Sequence, residues 1–150
     1  MTTPLTIDII SDVICPWCYV GKRNFDLALA ARPDIDATLR WRPFQLDPSV
    51  PPQGVDRRSY LRAKFGDDDR LAAISNSLKQ TAAEAGLSLN LEAIALTPNT
   101  LDAHRLLHWA GGQGQAHAMA ERLGRVRQGG VISAVAVGHR QAALAVMCRG

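Results

Sequence analysis

The sequence predicts an α/β fold, a βαβ core with a helical excursion after it. Three observations carry the prediction. A strand-like run, Leu5–Ile10, leads into a helix-like run, and an alternating run, Ala37–Arg42, follows. Beyond residue 54, helical patterns succeed one another with no further strand signal. From Gly124 the composition departs from everything before it. The divisions expected from these changes are 1–54 for the core, 55–123 for a helical insertion and 124–150 for an atypical tail.

The first strand alternates weakly, with Leu5, Ile7 and Ile9 set against Thr6, Asp8 and Ile10, and reads as mostly buried. The first helix is expected from Pro16 to Ala31, with a stop near Arg32-Pro33. Within it Cys18, Gly21, Phe25 and Ala28/Leu29 recur at helical steps. In the second strand Ala37, Leu39 and Trp41 share one face, and Pro43, which has no N–H for a ladder, marks the end. Such a βαβ unit is expected to make a right-handed crossover between parallel strands.

Between strand and helix stands Ser11-Asp12-Val13-Ile14-Cys15-Pro16-Trp17-Cys18. A Cys-x-x-Cys in that setting suits thiol–disulfide exchange. The N–H groups and positive dipole end of the helix favour a thiolate, so Cys15 is expected to be the reactive thiol with a lowered pKa. Pro16 suits an early helical position, where a missing N–H costs nothing. Cys18, one turn on, is placed to attack a mixed disulfide formed at Cys15.

A proline-rich loop, Pro48–Gly54, leads into the excursion. Asp56 can cap a short helix carrying Tyr60, Leu61 and Phe65, closed by Gly66. Asp67-Asp68-Asp69 opens the next helix, with Leu71, Ile74, Leu78, Ala82 and Ala85 inward. Thr97-Pro98-Asn99-Thr100 opens a third, striped by Ala103, Leu106, Leu107 and Ala110; a short fourth covers Gln115–Leu123. In the tail, Val131–Val137 and His139–Met147 read as a buried strand and a helix, or as sequence with no evolved structure.

The net charge of +3 suggests nucleic acid, but five arginines after Glu121 supply it, and setting them aside leaves −2 for residues 1–121. No basic cluster with interleaved aromatics occurs, so a nucleic-acid partner is discounted. No window approaches a membrane span, and Met1-Thr2-Thr3-Pro4 does not begin a secretory signal, so the expectation is a cytoplasmic protein with no membrane partner. In a reducing compartment a Cys-x-x-Cys is catalytic or metal-binding more often than a permanent crosslink. Cys15/Cys18 and His104/His108 both have zinc-ligand spacing, but the pairs stand too far apart in sequence, so no metal is expected. Packing or solvent exposure accounts for the two histidines on their helix.

Ser11–Lys22 closely resembles the active-site segment of cytoplasmic DsbA-like oxidoreductases of the FrnE type. That branch is related to 2-hydroxychromene-2-carboxylate isomerase and to kappa-class glutathione transferases. Trp41-Arg42-Pro43-Phe44-Gln45-Leu46-Asp47-Pro48 and Asn99-Thr100-Leu101-Asp102-Ala103-His104-Arg105-Leu106 resemble its two later blocks. The resemblance reaches about Leu123. It implies a thioredoxin-like βαβ core with a helical insertion, C-terminally incomplete or divergent here. Family members continue well beyond this length and return to the sheet through a cis-proline loop, whereas Pro98 is the last proline here. A reading-frame change after about Leu123 would produce such a tail.

The resulting reading is a protein-disulfide oxidoreductase with Cys15 and Cys18 catalytic, supported by Pro16, Trp17, Ser11 and Asp12. Its substrate would be a disulfide-containing protein or small molecule. No bound cofactor is expected, with glutathione or a dithiol reductant as co-substrate. The alternatives are a glutathione-dependent isomerase or transferase of the same fold and an inactive, binding-only fragment. Trp17 faces substrate or anchors the core; Ser11 and Asp12 shape the turn into the helix or act as acid and base. Asn99, Asp102 and Arg105 fit capping and surface pairing as well as the family block. Without the closing strands, the first strand would leave an open sheet edge through which copies of the chain associate.

Overall fold

The computed structural model describes residues 3–127. Strand β1 (Thr3–Ser11) runs into helix α1 (Pro16–Ala30), and the chain returns through strand β2 (Ile35–Pro43), parallel to β1. The register places Ile7 beside Leu39 and Ile9 beside Trp41, so one face of the pair is apolar. The opposite face carries Asp8, whose carboxylate takes both nitrogens of a fork from Arg40 at 2.9 Å and one from Arg42 at 2.9 Å. α1 starts where expected because Cys15 adopts an extended backbone as its N-cap and Pro16 follows.

The excursion contains helices α2 (Arg57–Phe65), α3 (Asp68–Glu84), α4 (Leu101–Gly112) and α5 (Ala116–Arg127). Asp56 caps α2 by accepting the Ser59 N–H at 2.8 Å, and Asp67 caps α3 by accepting that of Arg70 at 2.9 Å. Two short strands escaped the sequence reading: β3 (Val55–Asp56) and β4 (Leu96–Thr97) pair antiparallel. Two residues are too few to show alternation. Gly54 makes the approach to β3 possible: at φ +79° it lies where a Cβ would meet the Thr97 carbonyl at 2.9 Å.

Two apolar clusters hold the elements. Tyr19 and Val20 of α1 pack on Leu78 and Ala82 of α3 and on Ala85 and Leu89 beyond it. Leu107 and Ala110 of α4 meet Met119 and Ala120 of α5, with Trp41 and Leu123 against them. The helices of the excursion therefore pack on the βαβ unit, α3 on α1 and α4 with α5 on β2.

Three expectations change. β1 is not mostly buried: among the described residues only β2 pairs with it, Leu5 and Ile10 are exposed, and Ile7 and Ile9 are half-buried. The helix expected to stop at Leu123 continues to Arg127, so the boundary drawn between 123 and 124 falls inside α5. The reason is packing: Gly124 is buried, and its Cα lies so close to Tyr19 that a Cβ would stand 2.4 Å from the ring. In α1 the buried residues are Tyr19, Val20 and Lys22, while Gly21 is exposed. The expected tail strand and helix, His139 and Cys148 lie outside the described residues.

Candidate active site

Cys15 and Cys18 are half-buried at the start of α1. The Cys18 N–H donates to Cys15 Sγ at 3.4 Å, because an N-cap side chain faces the unpaired N–H groups of the first turn. The two thiols also hydrogen-bond each other and therefore titrate as one unit. The first proton leaves at about 6, a lowering that falls on Cys18 through its bond with Cys15, despite burial, with help from the Asp12 backbone and the Ser11 hydroxyl. Cys15 keeps the shared proton and is pushed up by that bond and by burial, against the N–H groups of Cys18 and Trp17. The expectation of a lowered Cys15 acting alone becomes a lowered first ionisation of the pair.

Behind the cysteines, Asp12 is buried and ties distant segments together. Its backbone carbonyl accepts the Cys15 N–H at 3.1 Å, closing the turn into α1. One carboxylate oxygen accepts the Leu46 N–H at 2.7 Å; the other lies 3.1 Å from Nε2 of the buried His104. A carboxylate only accepts, so Nε2 carries the proton. Burial presses the Asp12 carboxyl up, but the bonds from His104, the Leu46 N–H and Thr100 outweigh it and hold the group below its ordinary 3.8.

The neighbouring contacts complete the frame. Gln45 donates to Asn99 Oδ1 at 3.3 Å and to Thr100 Oγ1 at 3.4 Å, and Asn99 donates to the Val50 carbonyl at 2.6 Å. All three sequence blocks thus converge on Asp12. Cys15, Cys18, Asp12, Trp41, Leu107 and Gly124 border a cavity of about 20 Å³, roughly the size of a water molecule. Lys22, which also borders this cavity, is buried with its Nζ 2.7 Å from Asp26 and 2.8 Å from Glu121.

Among known proteins, the family model described as the DSBA-like thioredoxin domain matches residues 6–129. The chain belongs to this family. The DSBA-like chain is similar to a probable DsbA oxidoreductase from Streptomyces coelicolor, with a TM-score of 0.73 and 30% identity over 95% of this chain and 67% of that one. It is also 28% identical, over 117 residues, to YwbO of Bacillus subtilis, an uncharacterized protein. The match covers 78% of this chain and 53% of the relative, so the chain spans about half the length of that curated relative. The DSBA-like thioredoxin fold predicted from the resemblance is thereby established.

Of the residues singled out in this DSBA-like chain, the structure gathers Cys15, Cys18, Ser11 and Asp12 at the turn. Pro16 occupies the first helical position, and Trp17 is 45% exposed, so it is not a core anchor. Ser11 touches Cys18 through its hydroxyl. The missed residue is His104, which is neither solvent-facing nor mere packing; His108, one turn on, is exposed. Among the described residues no three His, Cys, Asp or Glu side chains group as metal ligands. In the third block Asp102 and Arg105 form an exposed pair at 2.9 Å, whereas Thr100 and His104 reach Asp12. The sequence signal for His104 was its place in that block. Its partner could not be read from spacing.

Proposed function

We propose that this chain carries out thiol–disulfide exchange through Cys15 and Cys18. The observation that carries the reading is the pair of free thiols at the N-terminus of α1, where Cys15 Sγ accepts the Cys18 N–H and the two groups share a first ionisation at about 6. Moving one proton along the Cys15–Cys18 bond places the negative charge on Cys15, where the N–H groups of Trp17 and Cys18 receive it. The Cys15 thiolate attacks one sulfur of a substrate disulfide. A Cys15–substrate disulfide forms, the old S–S bond breaks, and the other sulfur leaves as a thiolate that takes up a proton. Cys18, as a thiolate, then attacks the Cys15 sulfur, releasing the reduced substrate and leaving a Cys15–Cys18 disulfide. Two electrons pass from the dithiol to the substrate.

Two glutathione molecules, or one dithiol reductant, from solution restore the pair by the same two exchange steps in reverse roles, leaving as a disulfide. The substrate is a disulfide-bearing protein or small molecule, and the compartment is the cytoplasm, where reduced thiols are maintained. The FrnE-type branch accounts best for the three blocks. Cys18 favours exchange over a glutathione-dependent isomerase or transferase, because isomerisation needs no resolving thiol. Among the described residues no helix is long and apolar enough to cross a membrane.

The test is a disulfide-reduction assay with thiol titration on the chain, Cys15→Ser and Cys18→Ser. Cys15→Ser is expected to abolish exchange, and Cys18→Ser to accumulate mixed disulfides. Turnover by Cys18→Ser at the parent's rate without trapping would overturn the reading.

A further inference from the structure

Asp12 meets the cysteine turn in two ways. Its backbone carbonyl accepts the Cys15 N–H at 3.1 Å, and the residue borders the same small cavity as Cys15 and Cys18. Its side chain is 0% exposed, so water screens its charge poorly. The carboxylate is fixed from two other segments: Leu46 N–H holds Oδ2 at 2.7 Å, and His104 Nε2 holds Oδ1 at 3.1 Å. The second ring nitrogen of His104, Nδ1, is buried without a partner, so the polar contact of this ring goes to Asp12.

A fixed charge beside two coupled thiols decides which of them carries the charge they share. The Asp12 carboxylate opposes ionisation of Cys18, whereas the N–H groups of Trp17 and Cys18 favour it at Cys15. Three cations stand near enough to matter, one from each of three helices. Lys64 of α2 and Arg127 of α5 feel the charge of Asp12, and Lys22 of α1 borders the cavity. Each is engaged elsewhere: Lys64 donates to Tyr60, Arg127 to the Leu96 carbonyl, and Lys22 to Asp26 and Glu121. The Asp12 charge therefore acts on the sulfurs, in an orientation that His104 sets.

We propose that His104 is a positioning residue for the thiol pair: by fixing the Asp12 carboxylate beneath the turn, it keeps the pair's negative charge on Cys15, the attacking sulfur. The proposal rests on the exchange reading for the role of Cys15, but the placement of charge is measured without any disulfide substrate.

The test is limited alkylation of the reduced chain with iodoacetamide at about pH 7 to 9, above the ordinary imidazole range. Fragment mass spectrometry counts the label on Cys15 and on Cys18. The parent should label chiefly at Cys15. Asp12→Asn, which removes the charge, should lower the Cys15-to-Cys18 ratio about tenfold, and His104→Ala, which releases the carboxylate, should lower it in the same direction. His104→Gln, which keeps an N–H donor for the carboxylate, should restore most of the ratio. The control His108→Ala, at an exposed position one turn on, should leave it unchanged. A merely structural histidine would lower stability without moving the ratio. Should Asp12→Asn fail to fold, the two His104 variants decide. A parent labelled mainly at Cys18, a ratio unmoved by His104→Ala, no recovery in His104→Gln, or an equal change in His108→Ala would overturn the proposal. Loss of disulfide reduction with the labelling ratios as expected would instead sink the exchange reading and leave the placement of charge standing.

Discussion

Asp12 and His104, 92 positions apart, meet at 3.1 Å beneath the cysteine turn, and both are buried. Because the Asp12 carboxyl is held below its ordinary 3.8 in the fold, it stabilises the folded chain above that value. The contribution disappears as pH falls through the lower folded value. Asp12→Asn should therefore unfold with a shallower acid dependence than the parent. Urea midpoints measured from neutral pH to below 3.8 check this, and parallel curves would refute it.

His104→Ala removes one donor and leaves a buried carboxylate under-satisfied. A loss of about 1–3 kcal/mol is expected, together with an upward shift of the Asp12 titration followed by carboxyl NMR. A purely packing histidine would give the first effect without the second.

The thiol pair predicts a second pH window. The folded pair loses its first proton at about 6, whereas the ordinary thiol value is 9.0. Between these limits the unfolded chain binds more protons, so stability of the reduced form should rise with pH from about 6 towards 9. The form with a Cys15–Cys18 disulfide has neither of these two thiols to titrate. The difference in thermal midpoint between the two forms should grow across that interval; a constant difference would contradict the shared ionisation.

Gly124→Ala tests the packing of α5 on α1. Its Cβ would stand 2.4 Å from the Tyr19 ring, within the core. Overpacking of this kind costs about 1–3 kcal/mol, and up to about 1 kcal/mol returns from the better helix propensity of alanine. A lowered denaturation midpoint is expected; a raised one would mean that α5 does not pack as described.

Lys22→Met should destabilise the chain by about 1–3 kcal/mol. The lysine side chain is 5% exposed, but Asp26 and Glu121 are 25% and 31% exposed, so water partly compensates their lost partner. Chemical denaturation of Lys22→Met beside Glu121→Gln checks the network, and a neutral result in both would refute it.

Local chemistry, by itself, determined the start of the fold. An extended cysteine before proline caps α1, Asp56 and Asp67 cap α2 and α3, and alternation marks β2. These features depend on residues within a turn of one another, so periodicity and capping preferences suffice to read them. The cysteine pair was legible for the same reason: an i, i+3 spacing at a helix start brings its own N–H groups to the sulfur. Which aspartate would be buried was not legible, because Asp12 tolerates burial only through donors from Leu46, Thr100 and His104, delivered by two other segments. Nothing in the sequence around Lys22 shows that α5 brings Glu121 to it, and Gly124 reads as a tail residue until Tyr19 lies over it. Tertiary structure alone decided these points, since buried charges and close contacts take their energy from partners far along the chain.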